Sequence, residues 1–250
     1  MIENLLSNKN EFNYDKPYTL IIGSNPSKGA RSPLLWNNAF NQLNLNLKMY
    51  PADVSLINIE PLINYLLKDK YFLGGAIAVP YKEKITDIFK KNKFCKLTQE
   101  AENIGAINCI YRDNNQLIGT NTDGEAALIT INKFLNPLSK KFIVFGFGGV
   151  GKSIVAYLKK FYKDAKIIIS VRNKERFKKI EKLKDLEFIN WPLENFNYKN
   201  TDAIINCTIL GSKNVDMNTG QKLLNEIPLK DMHLSFESII NSINPNILYF

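Results

Sequence analysis

Apolar and polar residues alternate along this chain in two periods. Continuous apolar runs bounded by turn residues predict buried strands, and apolar residues three or four apart predict amphipathic helices. "YTLIIG" (18–23) predicts a first strand. "SPLLWNNAFNQLNL" (32–45) predicts a helix, with Ser32 as its N-cap and Pro33 at the first helical position. "NLKMYPADV" (46–54) reads as extended and "IEPLINYLLKD" (59–69) as helical. "LGGAIAVP" (73–80) reads as a buried strand ended by Pro80. "AINCIYRDNNQLIGTN" (106–121) predicts a hairpin turning at Asn114 and Asn115, and "GEAALITINKFLN" (124–136) a helix.

A second series begins near Lys140. Strands are expected at 141–146, 166–171, 186–191 and 202–208, with helices at 150–163 and 174–184. Strand-helix alternation of this kind means βαβ units and largely parallel sheets, an α/β fold. No internal repeat or low-complexity linker interrupts it. Two domains are expected, 1–125 and 126–250, with the helix at 124–136 as the bridge. The C-terminal end is free in this reading to return toward the first domain.

Composition narrows the function classes. Of the 250 residues, 45% are hydrophobic and 23% charged, which suits an ordinary soluble globular protein. No apolar run is long enough to span a membrane, and the first residues lack the pattern of a secretory signal, so a cytoplasmic location without membrane partners is expected. The net charge of +9 is nearly all lysine spread along the chain; arginine stands only at Arg31, Arg112, Arg172 and Arg176. Nucleic-acid binders favour arginine forks and clustered basic stripes, so nucleic acid is not the expected partner. The single histidine, His233, excludes a multi-histidine metal site and confines histidine chemistry to the C-terminal end. Cys95, Cys109 and Cys207 stand too far apart for a chelating pair and read as small buried hydrophobes, so no metal is expected. Proton transfer then falls to Lys, Asp, Glu or Tyr.

"GFGGVGKS" (146–153) fits two motifs. As G-x-x-x-x-G-K-S it is a P-loop; as G-x-G-G-x-G it is a variant of the Rossmann dinucleotide turn. Three features favour the second. No later apolar strand ends in the Asp or Glu that a P-loop enzyme needs for magnesium. About 140 residues of another α/β unit precede the loop, whereas a P-loop normally opens its domain. The strand after the loop runs into "SVRNKER" (170–176), where Ser170, Arg172 and Arg176 replace the acid that would hold an NAD ribose. That substitution suits the 2′-phosphate of NADP.

Three stretches of the first domain carry candidate chemistry. "GSNPSKGARSP" (23–33) leads into a helix N-terminus, where backbone N–H groups and the Ser32 hydroxyl can hold an anion. "VPYKEK" (79–84) places Lys82 just past a strand end, where α/β proteins hold ligands. "NTDG" (121–124) places Asp123 beside a glycine, and Asn108 in "GAINC" supplies an amide. A lysine, a carboxylate, an amide and a helix N-terminus together describe a site for a small hydroxylated acid.

In order and spacing, "NPSKGARSPLLWN", "GGAIAVPYKE", "IGAINCIYRDNNQLIGTNTDG", "VFGFGGVGKS", "SVRNKER" and "INCTILG" resemble the shikimate dehydrogenase family over residues 18–211. The resemblance implies an N-terminal α/β substrate domain, an NADP-binding Rossmann domain with a parallel sheet, and a cleft between them. It implies reversible reduction of 3-dehydroshikimate to shikimate with NADP, a step of aromatic amino acid biosynthesis. Lys82 and Asp123 match the family's catalytic pair, and Ser32 and Asn108 match substrate-binding positions. Gly146, Gly148, Gly149, Arg172 and Arg176 match cofactor motifs, as do Asn206 and Thr208 in "INCT". A monomer or homodimer is expected.

The sequence also departs from the family. Ala30 stands where the family has its first carboxylate-binding serine, with Gly29 in place of the preceding histidine. Ala76 and Ala78 stand where it usually has Asn and Thr. The chain ends at "NPNILYF" without a recognisable substrate-binding Tyr, Gln or closing helix. Alternatives therefore remain: a dehydrogenase for another hydroxylated carboxylate such as quinate, a family member that binds nucleotide or metabolite without turnover, and, last, a P-loop NTPase.

Overall fold

A computed structural model of the chain describes residues 2–9, 16–135, 137–178, 183, 185–190, 201–208 and 247–249. It divides into two compact units, Met1–Thr122 and Asp123–Phe250.

The first unit contains β1 (Tyr18–Gly23), α1 (Ser32–Gln42), β2 (Lys48–Asp53), α2 (Ile59–Lys68), β3 (Phe72–Ile77), α3 (Lys82–Lys91), β4 (Cys95–Leu97), α4 (Gln99–Ile104), β5 (Cys109–Asp113) and β6 (Gln116–Thr120). Its six strands lie in the order β2-β1-β3-β5-β6-β4. The sheet is mixed, where a largely parallel one was expected. β1 pairs in parallel with β2 and β3, but β5 runs antiparallel to both β3 and β6. The physical reason is the two-residue turn at Asn114 and Asn115, since so short a loop joins only antiparallel neighbours. Asn114 has the positive φ (53°) such a turn demands.

Helices α2 and α3 bury Leu62, Ile63 and Leu66, and Ile85, Ile88 and Phe89, against Leu20, Ile22 and Phe72 of the sheet. Arg112 of β5 ties the end of α2 to the start of β3. Its guanidinium donates to the carbonyls of Leu66 (2.5 Å), Leu67 (3.4 Å), Asp69 (3.0 Å) and Phe72 (2.8 Å). The carbonyls of Leu66, Leu67 and Asp69 are ones a helix end leaves without partners. The expected N-cap shifts by one residue. Arg31 holds the cap position with no side-chain bond, while Ser32 and Pro33 form the first turn of α1. Helix α1 ends at Gln42 and fully buries only Phe40.

The second unit contains α5 (Asp123–Ile131), β7 (Lys141–Phe145), α6 (Gly149–Phe161), β8 (Lys166–Val171), α7 (Glu175–Lys178), β9 (Glu187–Asn190), β10 (Ala203–Asn206) and β11 (Ile247–Tyr249). Among the described residues its strands are all parallel, in the order β11-β10-β7-β8-β9. The chain starts in the middle, winds outward through β8 and β9, then crosses to β10 on the other side. This is the doubly wound order of dinucleotide-binding domains, with its switch point between β7 and β10. Phe142, Val144, Ile154, Leu158, Ile167, Ile169, Ala203 and Ile205 form the core. Of the helix expected at 174–184, α7 forms the start, while residues 179–182 and 184 lie outside the described residues, as does His233. Among the described residues, no helix is long and apolar enough to cross a membrane.

Candidate functional site

In the first unit, the segments that carry the candidate residues meet where parallel strands β1 and β3 end. Ala78 N–H donates to Ile22 O at 2.8 Å, Ser24 N–H to Val79 O at 3.4 Å, and Ile77 N–H to Asn108 O at 2.7 Å. The loop after β1, the turn after β3 and Asn108 therefore share one end of the sheet. Tyr81 fixes the turn into α3: its buried hydroxyl donates to Val54 O at 2.7 Å, and burial pushes its pKa up. Lys82, expected just past a strand end, is the first residue of α3 and half-buried. Its carbonyl accepts the Thr86 hydroxyl at 2.7 Å and Ile107 N–H at 3.1 Å, which seats Lys82 beside the Asn108 strand.

Asn108 is more committed than the sequence suggested. Its Nδ2 donates to Thr122 Oγ1 at 3.0 Å, and its Oδ1 accepts Thr122 N–H at 3.0 Å. Buried Asn121 donates to Ala106 O at 2.8 Å. Together they fix the backbone that leads into Asp123. Ala30, Ala76 and Ala78 all pack against one small apolar cluster of Ile21, Phe40 and Met49. Asp53 and Ser27, whose side chains meet under the 23–33 loop, were not singled out from the sequence; they lie 26 positions apart.

In the second unit, Asp123 and Gly124 open α5. Gly124 N–H donates to the Ser153 hydroxyl at 2.8 Å, and a Cβ at Gly124 would stand 2.5 Å from Ser153 O. That close approach of α5 to α6 bears on the glycine loop. A P-loop would use Ser153 for magnesium, but here Ser153 is fully buried and holds α5. Helix α6 already starts at Gly149, so Lys152 sits within its first turn, with N–H on Gly148 O at 2.9 Å. The three-residue loop is too short to wrap a triphosphate and suits a dinucleotide turn.

Its glycines divide the work. Gly146 has φ +89°, its N–H donates to Ser170 O at 2.9 Å, and a Cβ there would press on Thr208 Cγ2 at 3.0 Å. A Cβ at Gly151 would lie 2.3 Å from Gly146 O, so helix and turn touch. At Gly148 a Cβ would meet nothing within 4 Å, so this backbone faces open space at the N-terminus of α6. That arrangement fits a cofactor pyrophosphate. Gly149 is the first residue of α6. Across the switch point, buried Asn206 accepts both Thr208 N–H (3.0 Å) and the Thr208 hydroxyl (2.7 Å). Cys207 between them stays a neutral thiol, its pKa pushed up to about 12 by burial and then by the Asp123 carboxylate.

Arg172 and Arg176 are exposed beyond β8. Ser170 is not available beside them, because it faces inward on β8 and is 0% exposed. Three rings hold this corner. Phe147 of the glycine loop meets Phe177 and Phe188 edge-on at 5.5 and 5.1 Å, and those two stack at 4.9 Å. The Arg176 guanidinium lies 5.8 Å from the Phe177 ring centre. The sequence reading missed this cluster, because its members come from a loop, a helix and a strand.

Residues 21–110 match the family model described as the shikimate dehydrogenase substrate binding domain. The shikimate dehydrogenase (NADP(+)) of Pelagibacter ubique is 34% identical over 202 residues, covering 79% of this chain and 71% of the relative. The chain belongs to the shikimate dehydrogenase family. Among solved structures, shikimate dehydrogenase 1 from Peptoclostridium difficile superposes with a TM-score of 0.66 at 25% identity, covering 78% of this chain and 68% of the other. The shikimate 5-dehydrogenase of Thermus thermophilus, solved in complex with NADP(H) and shikimate, gives a TM-score of 0.64 at 20% identity, covering 78% and 69%, and supports the fold.

Proposed function

We propose that this chain is an NADP-dependent oxidoreductase that interconverts 3-dehydroshikimate and shikimate, with the first unit holding the acid and the second the cofactor. The observation that carries the reading is the match of residues 21–110 to the substrate-domain model, a stretch that includes Ser32, Lys82 and Asn108. The open backbone at Gly148 fits the cofactor, which, when bound, supplies or accepts the hydride. Gly146, Gly148 and Gly149 would hold its pyrophosphate, Arg172 and Arg176 its 2′-phosphate, and Asn206 and Thr208 the switch-point side.

Reducing a ketone requires a proton on the oxygen. Lys82 donates it as an ammonium and takes it back in the oxidation direction. Asp123, the other member of the catalytic pair the family resemblance implies, accepts a substrate hydroxyl. Ser32 and the N-terminal turn of α1 hold the carboxylate, and the Asn108 amide serves the substrate side. The test is turnover of shikimate, then quinate, with NADP⁺ and with NAD⁺, followed by the near-ultraviolet absorbance of reduced nicotinamide. Turnover of shikimate with NADP⁺ supports the reading; no turnover of any pair overturns it.

One observation favours a second reading, a dehydrogenase for another hydroxylated carboxylate such as quinate. Ala30, Ala76 and Ala78 carry no hydrogen-bonding group and pack against Ile21, Phe40 and Met49. Each missing bond to a buried substrate hydroxyl weakens its binding by roughly 1–3 kcal/mol. Turnover of quinate far exceeding that of shikimate would select this reading.

A further inference from the structure

Strand β2 is the edge of the first unit's sheet, and a side chain covers its open edge. Asn8 Nδ2 donates to Pro51 O at 2.9 Å and Asn8 Oδ1 accepts Asp53 N–H at 2.8 Å, as the peptide group of another strand would. Ser7 N–H donates to Asp53 O at 2.7 Å. On the inner side Asp53 is in register with Gly23 of β1, and Val54 N–H donates to Gly23 O at 2.9 Å. The backbone of Asp53 is thus fixed from both sides.

Asp53 is only 4% exposed, and both its carboxylate oxygens go to one residue. Oδ1 accepts Ser27 N–H at 2.8 Å and Oδ2 accepts the Ser27 hydroxyl. Ser27 is the middle of a 3₁₀ turn, Pro26–Lys28, onto which the chain folds back through Ala30 N–H on Pro26 O at 3.0 Å. The chain then enters α1 at Ser32. A buried carboxylate is costly without such bonds.

We infer that Asp53 is a positioning residue for the anion-holding loop: through Ser27 it sets where the loop presents Ser32 and the first turn of α1. This rests on the proposed reading, in which that turn holds the substrate carboxylate. Asp53 acts through the loop and does not itself touch substrate.

The test compares wild type with Asp53→Ala, Asp53→Asn and Ser27→Ala. Asp53→Ala is expected to raise the KM for the acid roughly tenfold or more, leaving kcat and the NADP⁺ KM within about twofold. Asp53→Asn keeps an acceptor for Ser27 N–H and offers its own N–H to the hydroxyl. It is expected to stay within about threefold of wild type, with Ser27→Ala in between. A fall of all parameters together, or equal damage by Asn and Ala, overturns the inference. Amide hydrogen exchange gives a readout independent of turnover. Asp53→Ala should speed exchange across residues 24–31 and leave α2 protected; unchanged exchange in the loop also overturns it. If wild type turns over no acid, the functional reading fails by itself and the exchange result still decides the role of Asp53.

Discussion

Replacing Gly146 and Gly148 separately by alanine divides what the glycine turn does for folding from what it does for the cofactor. At Gly146 the backbone sits at φ +89°, where an L-residue costs about 1–2 kcal/mol. The new methyl would also crowd Thr208 Cγ2 at 3.0 Å and Cys207 O at 3.2 Å, which adds up to about 1 kcal/mol. Gly146→Ala should therefore lose about 2 kcal/mol. At about 2–4 °C per kcal/mol, Tm falls by roughly 4–8 °C. Gly148 has an ordinary φ of −82°, makes no side-chain cap bond and has no neighbour near its Cβ position. Gly148→Ala should lose only about 0.5 kcal/mol of cap preference. It should nonetheless weaken NADP⁺ by roughly tenfold or more, because the methyl fills space the pyrophosphate needs. Denaturant unfolding of the ligand-free protein and calorimetric titration with NADP⁺ measure the two quantities. The reasoning fails if Gly148→Ala unfolds as readily as Gly146→Ala, or if its NADP⁺ affinity stays within about twofold of wild type.

Other consequences follow from single contacts. Arg112→Ala removes three bonds to carbonyls at the end of α2 and one to Phe72 of β3, and should cost about 3 kcal/mol by denaturant unfolding. Arg112→Lys should recover little, since one ammonium cannot reproduce the fork, and full recovery would contradict this. Burial pushes the Cys95 thiol to about 11, and the Cys207 thiol is higher still, at about 12. Both folded values lie above the ordinary thiol value of 9.0, so this contribution to stability is complete below that pH. It is lost as pH rises, because the unfolded chain ionises first. Iodoacetamide at about pH 8 should thus label native protein far more slowly than denatured protein. Equal rates would refute the burial argument. Arg172→Ala should raise the KM for NADP⁺ well beyond that for NAD⁺, and equal effects on both would remove Arg172 from the 2′-phosphate site.

Much of this fold is legible in the chain because its central strands are continuous apolar runs. Tyr18–Gly23 and Lys166–Val171 occupy the residues their hydrophobicity predicts. Helix α3 was hidden by charge. Its large apolar side chains are only Ile85, Ile88 and Phe89, enough to dock on the core but diluted by Lys82, Glu83, Lys84, Asp87, Lys90 and Lys91. Helix α4 left a clearer signal in its ends. The Thr98 hydroxyl accepts Ala101 N–H at 3.3 Å, and Gly105 closes it at φ 74°. The cofactor turn could be read from its glycines, whose roles are local. Asp53 with Ser27, the three phenylalanines, and the shared cluster behind Ala30, Ala76 and Ala78 could not. They exist only once strand order and register have brought distant segments together.

The proposed chemistry depends most directly on Lys82. Steady-state oxidation of shikimate with NADP⁺ by wild type and Lys82→Ala, alongside NADP⁺ titration of both, tests it. Wild type should turn over. Lys82→Ala should lose about 10²-fold or more in kcat, the usual worth of a positioned acid–base group, while binding NADP⁺ as tightly as before. Equal rates in the two proteins would contradict the account.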